Sequence, residues 1–266
     1  MNTRQAQDGL IYLYCITDKV PKLKKIENLV DKPYFIYQQS LYAIVNRVKE
    51  SEFAEDNLKR NLADLEWIKA KARSHEKAIE VIMKNAGVIP FKLATLFNSE
   101  DNLKAMLREH LEEFKDILVK LEDKEEWGVK IYCNLEKLKE GLMQEDGQLL
   151  NIDKEISSSV SGKAYFLKKK KEELLNIAEN KKLNEYGQVS FDSLREESVQ
   201  ARINKLLPKE VTERKEEMIL NSAFLIDKDK IDDFLNTVEN LKIRYVDKCI
   251  FFDCTGPWPP YNFCNL

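Results

Sequence analysis

The sequence predicts an α+β protein of two domains, each of ferredoxin-like character with long helices, followed by an extended Pro/aromatic C-terminal tail. Three observations predict it. At 266 residues the chain sits at the upper end of what one hydrophobic core organises. Short apolar runs of strand length alternate with longer stretches of helical periodicity in both halves. The final dozen residues concentrate proline and aromatic side chains, with three of the seven prolines between Gly256 and Pro260.

The elements follow in order. Leu10–Ile16 is apolar on both alternating faces and reads as a central strand, while residues 18–32 turn polar. Tyr34–Tyr37 and Leu41–Val48 flank Gln39 and Ser40 as a hairpin. From Asn57 to Ala86, Leu58, Leu62, Leu65, Ile68, Ala72, Ile79 and Ile82 keep helical spacing, with Gly87 as the stop. Val88–Phe97 reads as one strand with Pro90 near its start. Ser99 caps a helix with Glu100 and Asp101 in its first turn and Leu103, Leu107, Phe114, Ile117 and Leu121 as its buried stripe.

The charged run Glu122–Glu126 marks a domain boundary. The predicted division is residues 1–125, residues 126–254 and a tail of residues 255–266. Strand character resumes at Trp127–Cys133. Gly162–Leu167 opens a Lys/Glu-rich helix, and a second helix is expected to carry Leu194, Val199, Ile203 and Leu206, with Glu185–Gln188 as the intervening loop and Ser193 with Glu196 as its capping box. Met218–Ile226, a helix after Asp227, and Tyr245–Cys254 complete a strand, helix, strand ending.

Composition narrows the function. With 43 basic and 46 acidic residues the net charge is −3, so no overall field draws the chain to nucleic acid. The first eight residues lack the order of a signal peptide and no apolar run reaches bilayer length, which predicts a cytoplasmic protein without membrane association. Five cysteines without C-x-x-C spacing argue against a disulfide framework or zinc knuckle. Phosphate-binding glycine loops and nucleophile elbows are absent. The run Lys168–Lys171 sweeps more than one helix face and reads as solvated surface, with docking to an acidic partner as the other reading.

His75 and His110, the two histidines, both continue helix stripes. Two readings are open. His75 beside Glu76 and facing His110 would form a metal or acid–base site of an α+β enzyme or small-ligand sensor. Alternatively His75 is a hydrogen-bonded core imidazole, since a metal site needs three or four converging ligands. No catalytic residue, cofactor or metal is assigned. In the tail, prolines limit chain entropy and aromatics offer contact area, so Gly256, Pro257, Trp258, Pro259, Pro260, Tyr261 and Phe263 are the candidate protein-binding residues. The same segment is equally suited to covering its own chain.

Gly256–Phe263 closely resembles the ending of the gas vesicle protein F/L family. Tyr12–Tyr14, His75–Glu76, Val88–Phe97, Gly128–Tyr132, Gly162–Leu167 and Asn221–Ile226 resemble other stretches of that family in order. The resemblance implies a non-enzymatic accessory protein that supports assembly of the gas-filled shells giving cells buoyancy. It also implies the small hydrophobic main shell protein, with other gas vesicle proteins, as partners, and a gas vesicle location. One departure stands out. The family's arginine-phenylalanine-glycine-threonine is Lys92-Leu93-Ala94-Thr95 here, which removes a bidentate arginine and a glycine.

Overall fold

The computed structural model describes residues 9–21 and 32–264; the N-terminal octet and most of the polar stretch 18–32 lie outside the described residues. The chain forms two compact units, one of residues 1–125 with 257–266, the other of residues 126–256.

The first unit begins with β1 (Leu10–Thr17), β2 (Tyr34–Gln38) and β3 (Leu41–Val48). Strand β1 is buried along nearly its whole length because it lies inside the sheet, whose order is β2-β3-β1-β4. Double-faced apolarity thus places it centrally, as expected. The hairpin turns through Gln39 and Ser40 at φ 45° and 72°, the positive-φ pair that matches strand twist. A register shift between Leu13 and Cys15 puts a bulge at Tyr14.

Three helices follow: α1 (Glu50–Phe53), α2 (Glu55–Asn61) and α3 (Leu65–Met83). The helical stretch read over 57–86 is interrupted before Leu65, where Asp64 caps α3, accepting from the Glu66 and Trp67 amides at 3.0 and 3.3 Å. The strand expected over 88–97 is also divided, into β4 (Ile89–Pro90) and β5 (Leu96–Phe97), both pairing with β1. Between them Lys92–Thr95 makes a β-turn closed by Thr95 N–H to Lys92 O at 3.2 Å, with Ala94 at φ 62°. Helices α4 (Glu100–Glu109) and α5 (Leu111–Leu121) meet at His110, where the backbone leaves helical geometry. Ser99 caps α4 as the sequence indicates, accepting from the Asn102 amide at 3.2 Å.

The second unit runs β6 (Lys124–Cys133), α6 (Leu135–Glu145), α7 (Gly147–Ser157), α8 (Ser161–Glu196), β7 (Gln200–Ile203), α9 (Lys209–Thr212), β8 (Glu217–Asp227), α10 (Ile231–Tyr245) and β9 (Ile250–Trp258). Its strand order is β7-β8-β6-β9, the second-third-first-fourth order of a ferredoxin-like sheet. The first unit repeats that order in β2-β3-β1-β4. Fold class and sheet character therefore match the sequence expectation.

The helices of the second unit depart from it. Helix α8 is unbroken for 36 residues, about 54 Å at standard rise. Gly187 is no loop residue: it is buried within α8, where a Cβ would already touch Ile219 O at 3.5 Å, so its absence lets α8 approach β8 closely. The helix expected around Ile203 is the edge strand β7 instead. Ser193 caps nothing, since its hydroxyl donates to Val189 O at 2.9 Å within α8. The core of this unit joins Val129, Ile131, Leu194, Phe224 and Phe234 from both layers.

Candidate functional site

The most organised polar cluster lies in the first unit and centres on His75. Strand β1 supplies Tyr12 and Tyr14 on one face, α3 supplies His75 and Glu76, the β4–β5 turn supplies backbone groups, and the C-terminal segment supplies Tyr261. The Tyr12 and Tyr14 rings lie 5.6 and 5.5 Å from the imidazole. His75 is only 2% exposed.

The hydrogen bonds fix their own directions. The Ala94 amide donates to Tyr12 Oη at 3.1 Å, so the phenol proton serves His75 Nδ1 at 2.9 Å. The imidazole proton therefore resides on Nε2, facing Phe91 O at 2.9 Å, an acceptor only. Both ends of the ring give the same tautomer. Nε2–H is shared with Tyr261 Oη at 3.0 Å, and that hydroxyl donates onward to Glu76 Oε1 at 3.2 Å. The bulge at Tyr14 contributes too, as its carbonyl accepts from the Phe91 amide at 2.9 Å and holds the turn in place.

Burial sets the electrostatics. It lowers the His75 pKa to about 4, against a smaller opposing effect of the Phe91 carbonyl, so the ring is neutral near pH 7. Burial likewise raises Glu76, which the Tyr261 hydroxyl partly counters. Burial, then the Glu76 charge, pushes the Tyr261 phenol upward. A cavity of about 20 Å³ lies beside the ring, lined by Tyr12, Tyr14, Asn46, Val48, Phe53, Lys71 and His75. It suits a water-sized occupant and is too small for a metabolite. Lys71 Nζ pairs with Glu52 Oε1 at 2.9 Å and lies over the Phe53 and Trp67 rings at 5.3 and 5.9 Å.

The structure brings His75 and Glu76 together through Tyr261, but His110 has other company. Its Nδ1 meets Glu113 Oε2 at 2.8 Å and its side chain is 43% exposed, so the expectation of a buried stripe position is corrected. The helix break at His110 resets the stripe register and rotates the ring outward. Among the described residues no three His, Cys, Asp or Glu side chains converge as metal ligands. Sequence reasoning missed Tyr12 as the partner of His75 and the Ala94 amide as the partner of Tyr12. Their only signal was that Tyr12 lies in a doubly buried strand, where a phenol hydroxyl needs a partner.

The tail residues divide in two. Gly256, Pro257 and Trp258 end β9 and are exposed, Trp258 by 43%. Pro259 and Pro260 are buried, Tyr261 enters the His75 chain through its hydroxyl while remaining 36% exposed, and Phe263 is 1% exposed. Lys120 Nζ donates to Phe263 O at 3.2 Å, and Cys264 Sγ donates to Pro260 O at 3.0 Å. Gly256 is required sterically: a Cβ there would stand 2.7 Å from Cδ2 of Trp127.

These features define a class: a two-unit α+β protein with twin ferredoxin-like sheets, whose first unit is closed by its own C-terminal segment on a buried histidine. The family model described as gas vesicle synthesis protein GvpL/GvpF matches residues 10–265. The chain belongs to that family, and is a gas vesicle protein. It is 21% identical to gas vesicle protein L of Streptomyces sp. over 89% of this chain and 84% of that protein. It is 23% identical to gas vesicle protein L1 of Halobacterium salinarum over 95% of this chain and 89% of that protein. The crystal structure of GvpF from Anabaena sp. superposes with a TM-score of 0.74 at 17% identity, covering 97% of this chain and 99% of that one. That of GvpF from Microcystis aeruginosa gives 0.71 at 16% identity with the same coverage, so the likeness of fold spans the whole chain.

Proposed function

We propose that this chain is an accessory protein of gas vesicle formation that binds the small hydrophobic shell protein and supports vesicle nucleation or growth, without catalysis, in the cytoplasm where vesicles form. The observation that carries this reading is the family match along residues 10–265. A physical logic supports it. A subunit made to face gas carries apolar surface that aggregates in water, and a charged carrier that shields it prevents that loss. Among the described residues no helix is long and apolar enough to cross a membrane. The exposed Gly256–Pro257–Trp258 segment and the outer part of Tyr261 are the parts of the tail open to a partner, while Pro259, Pro260, Phe263 and Cys264 serve the chain's own packing.

Deletion of the chain from a vesicle-forming cell, scored by buoyancy and electron microscopy, tests the role; loss or malformation of vesicles is expected, and normal vesicles would refute it. Binding is tested by co-purification of the shell protein with Trp258→Ala, whose fold is checked by circular dichroism. Reduced capture supports the tail as a contact. Undiminished capture removes Trp258 from the binding surface.

A further inference from the structure

Helix α8 presents a second organised surface. One side of its first half packs on α7, where Lys171 Nζ reaches Asp153 Oδ2 at 2.6 Å. Positions 166, 170, 173 and 177, at steps of four and three, form a different stripe. It reads Phe166, Lys170, Glu173, Ile177. Phe166 is 73% exposed and Ile177 59%. Lys170 and Glu173 are exposed, and neither has an ion-pair partner among the described residues. Two large apolar side chains in register on a solvated helix mark a contact surface rather than scattered exposure.

The order of chemistry along the stripe identifies the occupant. It runs apolar, cation, anion, apolar, and is palindromic about the point between Lys171 and Glu172. A two-fold axis through that point lays a second α8 antiparallel on the first, so Phe166 meets Ile177 and Lys170 meets Glu173, each contact occurring twice. A parallel pairing would set Lys170 on Lys170 and Glu173 on Glu173, so charge selects the antiparallel arrangement. We propose that this stripe is a self-association surface on which a second copy of the chain docks through antiparallel α8 helices. It spans only three helical turns, well below the roughly 1,600 Å² of a standard interface, so the dimer is weak and reversible. This goes beyond the shell-binding reading and does not depend on it.

Sedimentation equilibrium of the full chain at low salt tests it, with concentration-dependent dimerisation as the expected result. Lys170→Glu places like charges opposite each other twice and is expected to weaken association roughly tenfold. The double exchange K170E/E173K restores both pairs and recovers association, which no general loss of stability would do. Phe166→Ala weakens it independently of salt. All three positions are exposed, and unchanged circular dichroism and thermal unfolding establish that the variants fold. A chain that stays monomeric to about 0.5 mM overturns the proposal and leaves the stripe to a heterologous helix. A dimer indifferent to Lys170→Glu, or one that the double exchange fails to restore, overturns it as well.

Discussion

Acid should weaken the first unit through His75. In the unfolded chain an imidazole titrates near 6.5, whereas burial holds His75 at about 4 in the folded protein. Because the folded value is depressed, the unfolded chain takes up the proton first as pH falls. The contribution of His75 is therefore fully present above the ordinary imidazole value and is lost on the way down to pH 4. From pH 7 to pH 4.5 the loss amounts to about 2 kcal/mol for this one group. The structural reason is direct: a proton on Nδ1 confronts the Tyr12 hydroxyl proton, which then has to turn away from the ring. Glu76 acts in the opposite sense, since its raised pKa makes the folded state relatively better on the acid side.

The assay is urea unfolding of the wild type and His75→Gln at both pH values. Other carboxylates titrate in both proteins, so they cancel in the comparison. Wild type is expected to lose about 2 kcal/mol more than the variant on acidification. Equal losses in the two proteins would refute the buried neutral imidazole and the hydrogen-bond directions inferred from it.

Other substitutions probe the frame around this centre. Ala94→Gly should stabilise the chain by about 0.5–1 kcal/mol, because Ala94 sits at φ 62° where glycine bears no Cβ strain, less the entropy glycine adds to the unfolded state; an unchanged or lower unfolding midpoint counts against it. Gly256→Ala forces a methyl into the Trp127 ring and should cost about 1–3 kcal/mol, read from thermal unfolding and tryptophan fluorescence. Tyr261→Phe should cost only about 0.5–1.5 kcal/mol, since His75 Nε2–H keeps Phe91 O, whereas Phe263→Ala should cost about 3–5 kcal/mol from a fully enclosed site. Equal effects of these last two, measured by urea unfolding, would contradict the packing of the tail.

Much of the fold was legible because burial leaves a repeating mark on the chain. Strand β1 declared itself central by apolarity on both faces, and the Gln39–Ser40 hairpin by the two runs around it. What failed, failed where local pattern and tertiary contact disagree. Val199, Ile203 and Leu206 keep helical steps, yet they flank or occupy a short, largely exposed edge strand that has no alternation to show. Gly187 looks like a break in sequence and is instead a close-packing position against β8. The candidate site was legible one residue at a time. His75 read as buried and Tyr261 as an anchor, but no local pattern links positions separated by 186 residues. Ala94 illustrates a finer point. The sequence shows a glycine missing from the family's pattern, while only the backbone angle shows that the turn still demands glycine's conformation.

The C-terminal motif that reveals the family is also, in half its length, part of the first unit's interior. Pro259 and Pro260 are buried, Tyr261 completes the donor chain of a buried histidine, and Phe263 fills the core. Removing residues 255–266 therefore removes structure along with any contact surface, and a lost interaction after such a truncation would not distinguish the two. The segment is separable only by exposure. Trp258 presents its ring to solvent at the end of β9, Tyr261 is 36% exposed while its hydroxyl reaches the His75 chain, and Phe263 does its work inside. Any partner that recognises this ending in the folded protein has Gly256–Trp258 and the outer part of Tyr261 to read, and the buried Pro259, Pro260 and Phe263 act on it by holding that short surface in one place.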